Sequence, residues 1–314
     1  MTDTKPSISV VVPVYNGEHT IRPLVERLAA ALPPLAERFE VILVNDDSPD
    51  QSWSVINTLH EEYPFVRGIH LMRNYGQHNA TLCGVRAAAY PIIITMDDDL
   101  QHPPEEIHKL ISKLAEGFDV VYGYPNKLPH SFVRNFFSRA TKRTLAFVMG
   151  VKTVKEISAF RAFRTDLRRA FDNYQNAGVI LDALLSWATT RFTSVLVDED
   201  PRTIGSSNYN FVKLVREAFL VLTGYSTAPL KLASYLGFGA TIFGVISFLY
   251  VIISYFIRGS IDGFTFLAST VLIFSGVQLF TLGIFGEYLA RIFDRSMEQP
   301  TYVIGKTTSG KGED

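Results

Sequence analysis

The stretch IIITMDDDLQHPPEE, residues 92–106, contains a strand, an acidic turn and the start of a helix. Its apolar run, Ile92–Met96, is typical of a buried strand. Three consecutive aspartates, Asp97, Asp98 and Asp99, follow the run, and Pro104 with the glutamates after it is typical of a first helical turn. A strand that leads through a polar turn into a helix is the repeating unit of an α/β fold.

The same alternation of apolar runs and helical patterns extends over the first 125 residues. The runs predict strands at Ile8–Val14, Val41–Val44, Val66–Met72, Ile92–Met96 and Val120–Tyr122. The patterns between them predict helices at about Thr20–Leu32, Ser52–Glu62, Gln77–Ala89 and Pro104–Glu116. Repeated β-α units imply a mainly parallel, doubly wound α/β sheet that is covered on both faces.

The acidic turn has the composition of a divalent-ion site. Three aspartates after a buried strand are electrostatically costly without a counter-cation, and Asp97, Asp99 and Gln101 alternate so that they can face one side. Oxygen ligands suit Mg²⁺ or Mn²⁺. The sequence therefore predicts an Mg²⁺ or Mn²⁺ site at these three residues, and the alternative is a simple cap on the next helix. His78 and His102 are interpreted as hydrogen-bonding residues rather than metal ligands.

Polar turns also follow the first three predicted strands, at Val14–Glu18, Asn45–Asp50 and Arg73–His78. In an open α/β sheet, ligands bind at the carboxyl ends of the strands. We therefore expect these turns and the acidic turn to converge on one ligand-binding edge of the sheet.

Composition excludes several classes of protein. The chain has 314 residues, 30 Lys and Arg against 31 Asp and Glu, and a net charge of −1, so nothing indicates nucleic-acid binding. Cys83 is the one cysteine, which excludes an internal disulfide framework and a multi-cysteine metal site. Residues 1–7 lack the apolar core of a signal peptide, so the N-terminal part is expected to stay in the cytoplasm.

Two long segments are typical of membrane spans. Ala233–Ile257 and Gly263–Gly286 contain no charged residue, and each is long enough to cross a hydrocarbon core of about 30 Å. The short connector makes them a hairpin. Lys and Arg are more frequent outside the hairpin than in its connector, which predicts an inner-membrane protein with both termini in the cytoplasm.

These features predict four regions: a catalytic domain at 1–205, an amphipathic juxtamembrane helix at 206–230, two transmembrane helices within 231–290 and a cytoplasmic tail at 291–314. A further basic amphipathic helix is predicted at about 131–148. Basic amphipathic helices beside a membrane hairpin are expected to lie on anionic lipid headgroups, and packing against the catalytic domain is the alternative.

Three motifs, Val12–Asn16, Asn45–Asp50 and Asp97–Glu105, resemble those of the inverting family 2 glycosyltransferases with a GT-A fold. Arg73–Asn79 and the C-terminal hairpin narrow the resemblance to polyprenyl-phosphate glycosyltransferases. The resemblance covers nearly the whole chain. It implies a Rossmann-like GT-A catalytic domain, followed by interfacial helices and a transmembrane hairpin.

The resemblance also implies roles for individual residues. Binding of the nucleotide sugar is assigned to Pro13, Tyr15, Glu18, Asp46, Arg73 and Asp98, and binding of the acceptor phosphate to Arg134, Arg202 and Ser207. Asp97, Asp99 and Arg161 are assigned to catalysis, Arg161 facing a phosphate group. Asp182 is a candidate base or polar cleft residue by its position, and a solvated helix position is the alternative.

The predicted activity is therefore transfer of one sugar, from a UDP-sugar in preference, to a polyprenyl phosphate on the cytoplasmic face. The predicted partners are a nucleotide sugar, the lipid phosphate, membrane lipids and further copies of the chain, with no nucleic acid. Two alternatives stay open. One is a processive polysaccharide synthase, which would need more spans, and the other is a non-catalytic membrane scaffold that binds nucleotide sugars.

Overall fold

The structure, a computed structural model, describes residues 5–125, 157–175, 179–200, 227–258 and 264–308. The chain forms two units, one comprising Met1–Ala218 with Glu298–Asp314 and the other Phe219–Met297. The predicted helix at about 131–148 and almost all of the predicted helix at 206–230 lie outside the described residues. The first unit carries the polar turns after the predicted strands.

An eight-stranded mixed sheet forms the centre of the first unit. Its strands are β1 (Ser7–Val14), β2 (Arg38–Asn45), β3 (Val66–Leu71), β4 (Ile92–Thr95), β5 (Val120–Pro125), β6 (Arg161–Arg164), β7 (Phe192–Val197) and β8 (Ile304–Thr307). Their spatial order is β7-β5-β6-β4-β1-β2-β3-β8. The four central strands β4-β1-β2-β3 are parallel, which confirms the predicted α/β sheet.

Five helices accompany this sheet, namely α1 (Ile21–Ala31), α2 (Ser52–Glu62), α3 (Gln77–Ala87), α4 (Ile107–Ala115) and α5 (Leu181–Ala188). A 3₁₀ turn, Pro104–Glu106, precedes α4, and another spans Thr165–Ala170. The first four helices begin within three residues of their predicted starts, because each has a clear apolar face. On α4, for example, Ile107, Leu110 and Leu114 are buried.

The core lies between the sheet and these helices. Val10 and Val12 of β1, Leu24 and Leu28 of α1, and Leu110 of α4 belong to one cluster and have no exposed surface. Because β1 is flanked by parallel partners on both sides and covered on both faces, its side chains are nearly all buried. The ends of its strands are thereby held in fixed relative positions.

The C-terminal segment differs from the predicted tail at 291–314. Ile304–Thr307 forms β8, which pairs antiparallel with the outer edge of β3. The amide of Met72 donates to the carbonyl of Val303 at 2.9 Å, and Gly68 and Thr308 exchange hydrogen bonds. A Cβ on Gly305 would lie 2.8 Å from the sulfur of Met72, so a larger residue there would displace this exposed side chain. The pairing depends on the backbone of a distant strand, so four residues of sequence could not indicate it.

The second unit contains two long helices, α6 (Ala228–Arg258) and α7 (Phe264–Ser296). Segments Pro229–Ile257 and Ile273–Ser296 are long and apolar enough to cross a membrane, and neither is buried by the rest of the chain. The helices contact each other at Gly244, where a Cβ would lie 2.6 Å from the ring of Phe274. The second helix extends ten residues past the predicted end at Gly286.

Candidate active site

The loops after β1, β2 and β4 meet at one edge of the sheet and contain unusual backbone conformations. Asn16, Asp47 and Leu100 have φ values of 57°, 52° and 61°, in the left-handed region that side chains other than glycine seldom adopt. Such conformations persist only where the surrounding structure enforces them, and they concentrate at functional sites. The loops that the sequence selected are therefore tightly constrained.

Asp46, at the end of β2, fixes the loop after β3. Its two carboxylate oxygens accept hydrogen bonds from the amides of Tyr75 and Gly76, at 2.7 and 2.8 Å. Burial raises the pKa of Asp46, and these two hydrogen bonds oppose the increase. Gly76 has a φ of 93°, which favours glycine at the position before α3. Asp46 thus orients the start of α3.

The first turn is held by the start of α2. The amide of Gly17 donates to Oγ of Ser52 at 3.0 Å, and the carboxylate of Glu18 accepts the amide of Gln51 at 2.9 Å. Tyr15 is 50% exposed, and its ring is available to a ligand. A Cβ on Gly17 would lie 2.3 Å from Oδ2 of Asp98, so only glycine allows the acidic turn to approach so closely.

The acidic turn carries concentrated negative charge. Burial, and then the charges of Asp97 and Asp99, raise the pKa of Asp98 to about 7. Oδ1 of Asp97 accepts a hydrogen bond from the side-chain amide of Gln77 at 2.6 Å, and Oδ1 of Asp99 accepts the amide of Gln101 at 3.2 Å. The guanidinium of Arg161 interacts electrostatically with Asp97, so the acidic turn and Arg161 influence each other.

The side-chain oxygen atoms of the acidic turn are suitable ligands for Mg²⁺ or Mn²⁺. Carboxylate oxygens are the ligands that these ions prefer, and Asp97, Asp98 and Asp99 place three of these groups in one turn. In the described ranges, no three His, Cys, Asp or Glu side chains are placed so as to hold an ion by themselves. Mg²⁺ is commonly held by one or two carboxylates together with substrate phosphates, and this turn can supply that number.

Arg161 and Asp182 form a buried ion pair beneath the same edge. Arg161 lies on β6, opposite Thr95 of β4, and its Nε donates to Oγ1 of Thr95 at 3.0 Å. One guanidinium nitrogen donates to Oδ1 of Asp182, which also accepts the hydroxyl of Tyr122 at 2.8 Å. Both charged side chains are more than 90% buried. The carboxylate raises the pKa of Arg161 against the opposing effect of burial, so the guanidinium stays charged.

A pocket of about 210 Å³ connects the ion pair to the acidic turn. Its lining residues are Pro13, Gln77, His78, Thr81, Thr95, Met96, Asp97, Ile157, Ser158, Ala159, Arg161 and Asp182. The pocket therefore adjoins the carboxyl ends of β1 and β4 and the first turn of α3. This is the position at which open α/β sheets bind their ligands.

The predicted site residues divide into three groups. Pro13, Asp97, Arg161 and Asp182 line the pocket. Tyr15, Glu18, Asp46, Arg73, Asp98, Asp99 and Gln101 lie in the loops after β1 to β4 and are not part of its lining. Arg134, Arg202 and Ser207 lie outside the described residues. The guanidinium of Arg73 is 4.6 Å from the centre of the Tyr75 ring. The roles of all these residues remain predictions.

Some residues at the site were given no individual role from the sequence. Gln77 and Thr95 line the pocket and contact Asp97 and Arg161, and Tyr122, which is not part of the lining, bonds to Asp182. Gln77 and His78 belong to the polar turn that the sequence predicted at the ligand-binding edge, and His78 was interpreted as a hydrogen-bonding residue. Thr95 and Tyr122 lie within apolar strands, and their role depends on pairing that the sequence does not specify.

Solved structures of the same fold include glucosyl-3-phosphoglycerate synthase from Mycobacterium tuberculosis. Its crystal structure in complex with Mn²⁺ and uridine-diphosphate-glucose superposes with a TM-score of 0.51 at 18% identity, and the match covers 69% of this chain and 77% of that one. At this level of identity the likeness shows the fold alone.

Sequence relatives match almost the whole chain. An undecaprenyl-phosphate 4-deoxy-4-formamido-L-arabinose transferase of Shewanella sediminis is 33% identical over 96% of this chain and 94% of its own length. A protein of the same description from Pseudomonas savastanoi is also 33% identical, and an uncharacterised glycosyltransferase of Synechocystis is 29% identical. The family described as glycosyl transferase family 2 matches residues 9–172. With the mixed sheet, the acidic turn and these relatives in agreement, the chain belongs to glycosyl transferase family 2.

Proposed function

We propose that the protein transfers one sugar from a nucleotide sugar to a polyprenyl phosphate, with inversion at the anomeric carbon. The observation that carries the proposal is the pocket between the acidic turn and the buried Arg161–Asp182 pair. At one side of the pocket, the acidic turn can hold a divalent ion that binds a diphosphate. At the other side, the charged guanidinium of Arg161 can bind a phosphate. Both features belong to one edge of the sheet.

Asp97 and Asp99, with Gln101, would hold a divalent ion against the diphosphate of the donor. Such an ion stabilises the negative charge that develops on a departing nucleoside diphosphate. Tyr15 and Glu18 lie in the neighbouring loop and would contact the nucleoside, with Asp46 fixing the loop beside them. These assignments rest on the shared edge and on the family.

The acceptor does not require a general base. A phosphate monoester has a second pKa near 6, so the lipid phosphate is already an anionic nucleophile at neutral pH. Oδ1 of Asp182 accepts hydrogen bonds from Arg161 and Tyr122, so we assign Asp182 to holding Arg161 in place. A single displacement, with the lipid phosphate attacking opposite the leaving group, would invert the anomeric centre.

The relatives support a particular donor for the first tests. Several are described as transferases of 4-deoxy-4-formamido-L-arabinose to undecaprenyl phosphate, and they match nearly the full chain at about one-third identity. A uridine donor with a divalent ion is the first combination to test, as in the Mn²⁺ and uridine-diphosphate-glucose complex of the synthase that shares the fold. We therefore propose a UDP-pentose with a formamido group as the donor.

The two apolar helices support a membrane location. A polyprenyl phosphate keeps its tail in the bilayer, and a membrane-anchored enzyme would meet the phosphate at the surface. The distribution of Lys and Arg supports cytoplasmic termini and a cytoplasmic catalytic unit. Assembly into a homo-oligomer is part of the same proposal. A processive synthase is less favoured, because the described residues contain two candidate spans and a polymer channel needs more.

The experiment uses the full-length protein purified in detergent. It is incubated with undecaprenyl phosphate, UDP-4-deoxy-4-formamido-L-arabinose, UDP-glucose or UDP-N-acetylglucosamine, and Mg²⁺ or Mn²⁺. We expect a lipid product carrying one sugar, lost when EDTA removes the ion. Chain elongation would favour the processive synthase, and no turnover with any donor would favour the scaffold.

A further inference from the structure

The start of α3 presents two adjacent polar side chains to the pocket. Gln77 donates its side-chain amide to Oδ1 of Asp97 at 2.6 Å, and both Gln77 and His78 belong to the pocket lining. The preceding loop is anchored by Asp46 through the amides of Tyr75 and Gly76. The side chains at this helix start are therefore supported by backbone hydrogen bonds and by a direct contact to the acidic turn.

Other polar groups of the pocket are already engaged within the protein. Arg161 bonds to Asp182 and Thr95, and the hydroxyl of Thr95 donates to the carbonyl of Ala159 at 2.7 Å. The hydroxyl of Thr81 donates to the carbonyl of Gln77 at 2.8 Å. Among the described residues, the ring of His78 contacts the pocket and has no hydrogen-bond partner. Its two nitrogens remain available to a ligand.

The charge around His78 favours an uncharged ligand group at this point. Two carboxylates, Asp97 and Asp182, and one guanidinium, Arg161, line the same pocket, so before a divalent ion binds, these three charged side chains carry a net charge of about −1. Desolvation in the pocket, and to a smaller extent Arg161, lower the pKa of His78 against the opposing effect of Asp182. A neutral imidazole offers one donor and one acceptor, which suits a hydroxyl or an amide.

We infer that His78, supported by Gln77, selects the donor by hydrogen bonding to an uncharged polar substituent of the transferred sugar. The inference rests on the proposed function, and it adds the residue that distinguishes one sugar from another. A site that hydrogen bonds to a substituent discriminates against donors that lack it, because the polar side chain, once covered by the bound donor, is then left without a hydrogen-bond partner. For the proposed donor, the substituent would be the formamido group.

The test compares UDP-sugars that differ at one position. Wild type, His78→Phe and His78→Gln are assayed with undecaprenyl phosphate and either UDP-4-deoxy-4-formamido-L-arabinose or UDP-4-deoxy-L-arabinose, which has only hydrogen at that carbon and cannot form the hydrogen bond. We expect His78→Phe to lower kcat/KM for the formamido donor roughly ten-fold and to reduce the preference over the 4-deoxy donor. His78→Gln, which keeps hydrogen-bonding groups, is expected to retain more of the preference.

The matched control is His108→Phe. His108 lies on α4, where its Nδ1 contacts the carbonyl of Glu105 at 2.6 Å, and it does not line the pocket. The control should keep both the activity and the donor preference. Inhibition by UDP should stay unchanged in His78→Phe, which would show that the altered protein is folded and still binds the nucleotide.

Two results overturn the inference while leaving the proposed function intact. One is an equal loss for both donors in His78→Phe, and the other is a raised KM for undecaprenyl phosphate with an unchanged donor preference. The second would place His78 at the acceptor. Absence of transfer by the wild type with every donor would instead refute the proposed function.

Discussion

The α/β unit and the pair of long helices are both rich in apolar side chains, but they place them in opposite environments. In the α/β unit, residues such as Val10, Val12 and Leu28 have no exposed surface. On the long helices, Phe256 is 82% exposed and Leu279 is 69% exposed. The first unit supplies its own core, whereas the described part of the second leaves many large apolar side chains exposed, as is typical of helices long and apolar enough to cross a membrane. Substitutions should therefore have separable effects in the two units.

The largest expected effect is a loss of sugar transfer without a loss of membrane association. Replacing Asp99 by Ala in the acidic turn should reduce sugar transfer by at least roughly 10²–10³-fold, because stabilisation of the departing diphosphate is lost. Transfer is measured with undecaprenyl phosphate, and the membrane fraction of the protein should not change. The control is Asp166→Ala, since the side chain of Asp166 is 80% exposed and pairs with Arg169. Full activity in Asp99→Ala would refute its assignment.

The next prediction concerns stability of the α/β unit. Asp182→Asn leaves the buried guanidinium of Arg161 without its counter-charge, and we expect the free energy of unfolding to fall by about 3–5 kcal/mol. Both tryptophans, Trp53 and Trp187, lie in this unit, so their fluorescence during denaturation reports on it alone. A decrease below about 1 kcal/mol would show that Arg161 is compensated elsewhere.

A charge on α6 tests the other unit. Ile246 is 60% exposed near the middle of the apolar segment, and Ile246→Asp should disfavour membrane insertion by about 2.5–3.5 kcal/mol. The fraction of inserted protein is measured, with Ile246→Leu as the matched control. The tryptophan-detected unfolding of the α/β unit should stay the same. An unchanged inserted fraction would mean that this helix does not lie in hydrocarbon.

The smallest expected effect is a pH dependence confined to the α/β unit. Burial alone would raise the pKa of Asp119, but hydrogen bonds from Arg191 and Thr189 hold it below its ordinary value. The carboxylate therefore contributes stability above about pH 4, where it is ionised also in the unfolded chain, and this contribution is lost as the pH falls through the lower folded-state pKa.

Asp119→Asn should accordingly be slightly less stable than wild type at neutral pH, and the difference should decrease on acidification. Denaturant unfolding at several pH values between neutral and about pH 3 measures it. A difference that stays constant over this range would indicate a packing effect in place of the charge effect.

Local patterns predicted the parallel half of the sheet well. Strands β1 to β5 and the first four helices were located within three residues at nearly every end, because each combines an apolar pattern with a polar turn. Strands β6, β7 and β8 were not predicted. Arg161–Arg164 is only four residues long and forms a strand by inserting antiparallel between β4 and β5. That stabilisation comes from distant strands, so it leaves little trace in the local sequence.

The candidate site was likewise predictable where it depends on local sequence and unpredictable where it depends on tertiary packing. The acidic turn is continuous in sequence, so Asp97 and Asp99 could be selected from their spacing alone. The ion pair of Arg161 and Asp182 requires the register that places Arg161 opposite Thr95, together with the position of α5. Both residues were selected individually, but their contact, and the support from Tyr122, depend on tertiary packing.

The position of β8 has a consequence for biosynthesis. This strand covers the free edge of β3, yet the ribosome adds it only after both long apolar helices have been made. The nascent α/β unit must therefore persist with the outer edge of β3 unpaired while the helices leave the exit tunnel. An open strand edge is a site of intermolecular pairing, so the growing chain is most vulnerable to aggregation during that interval.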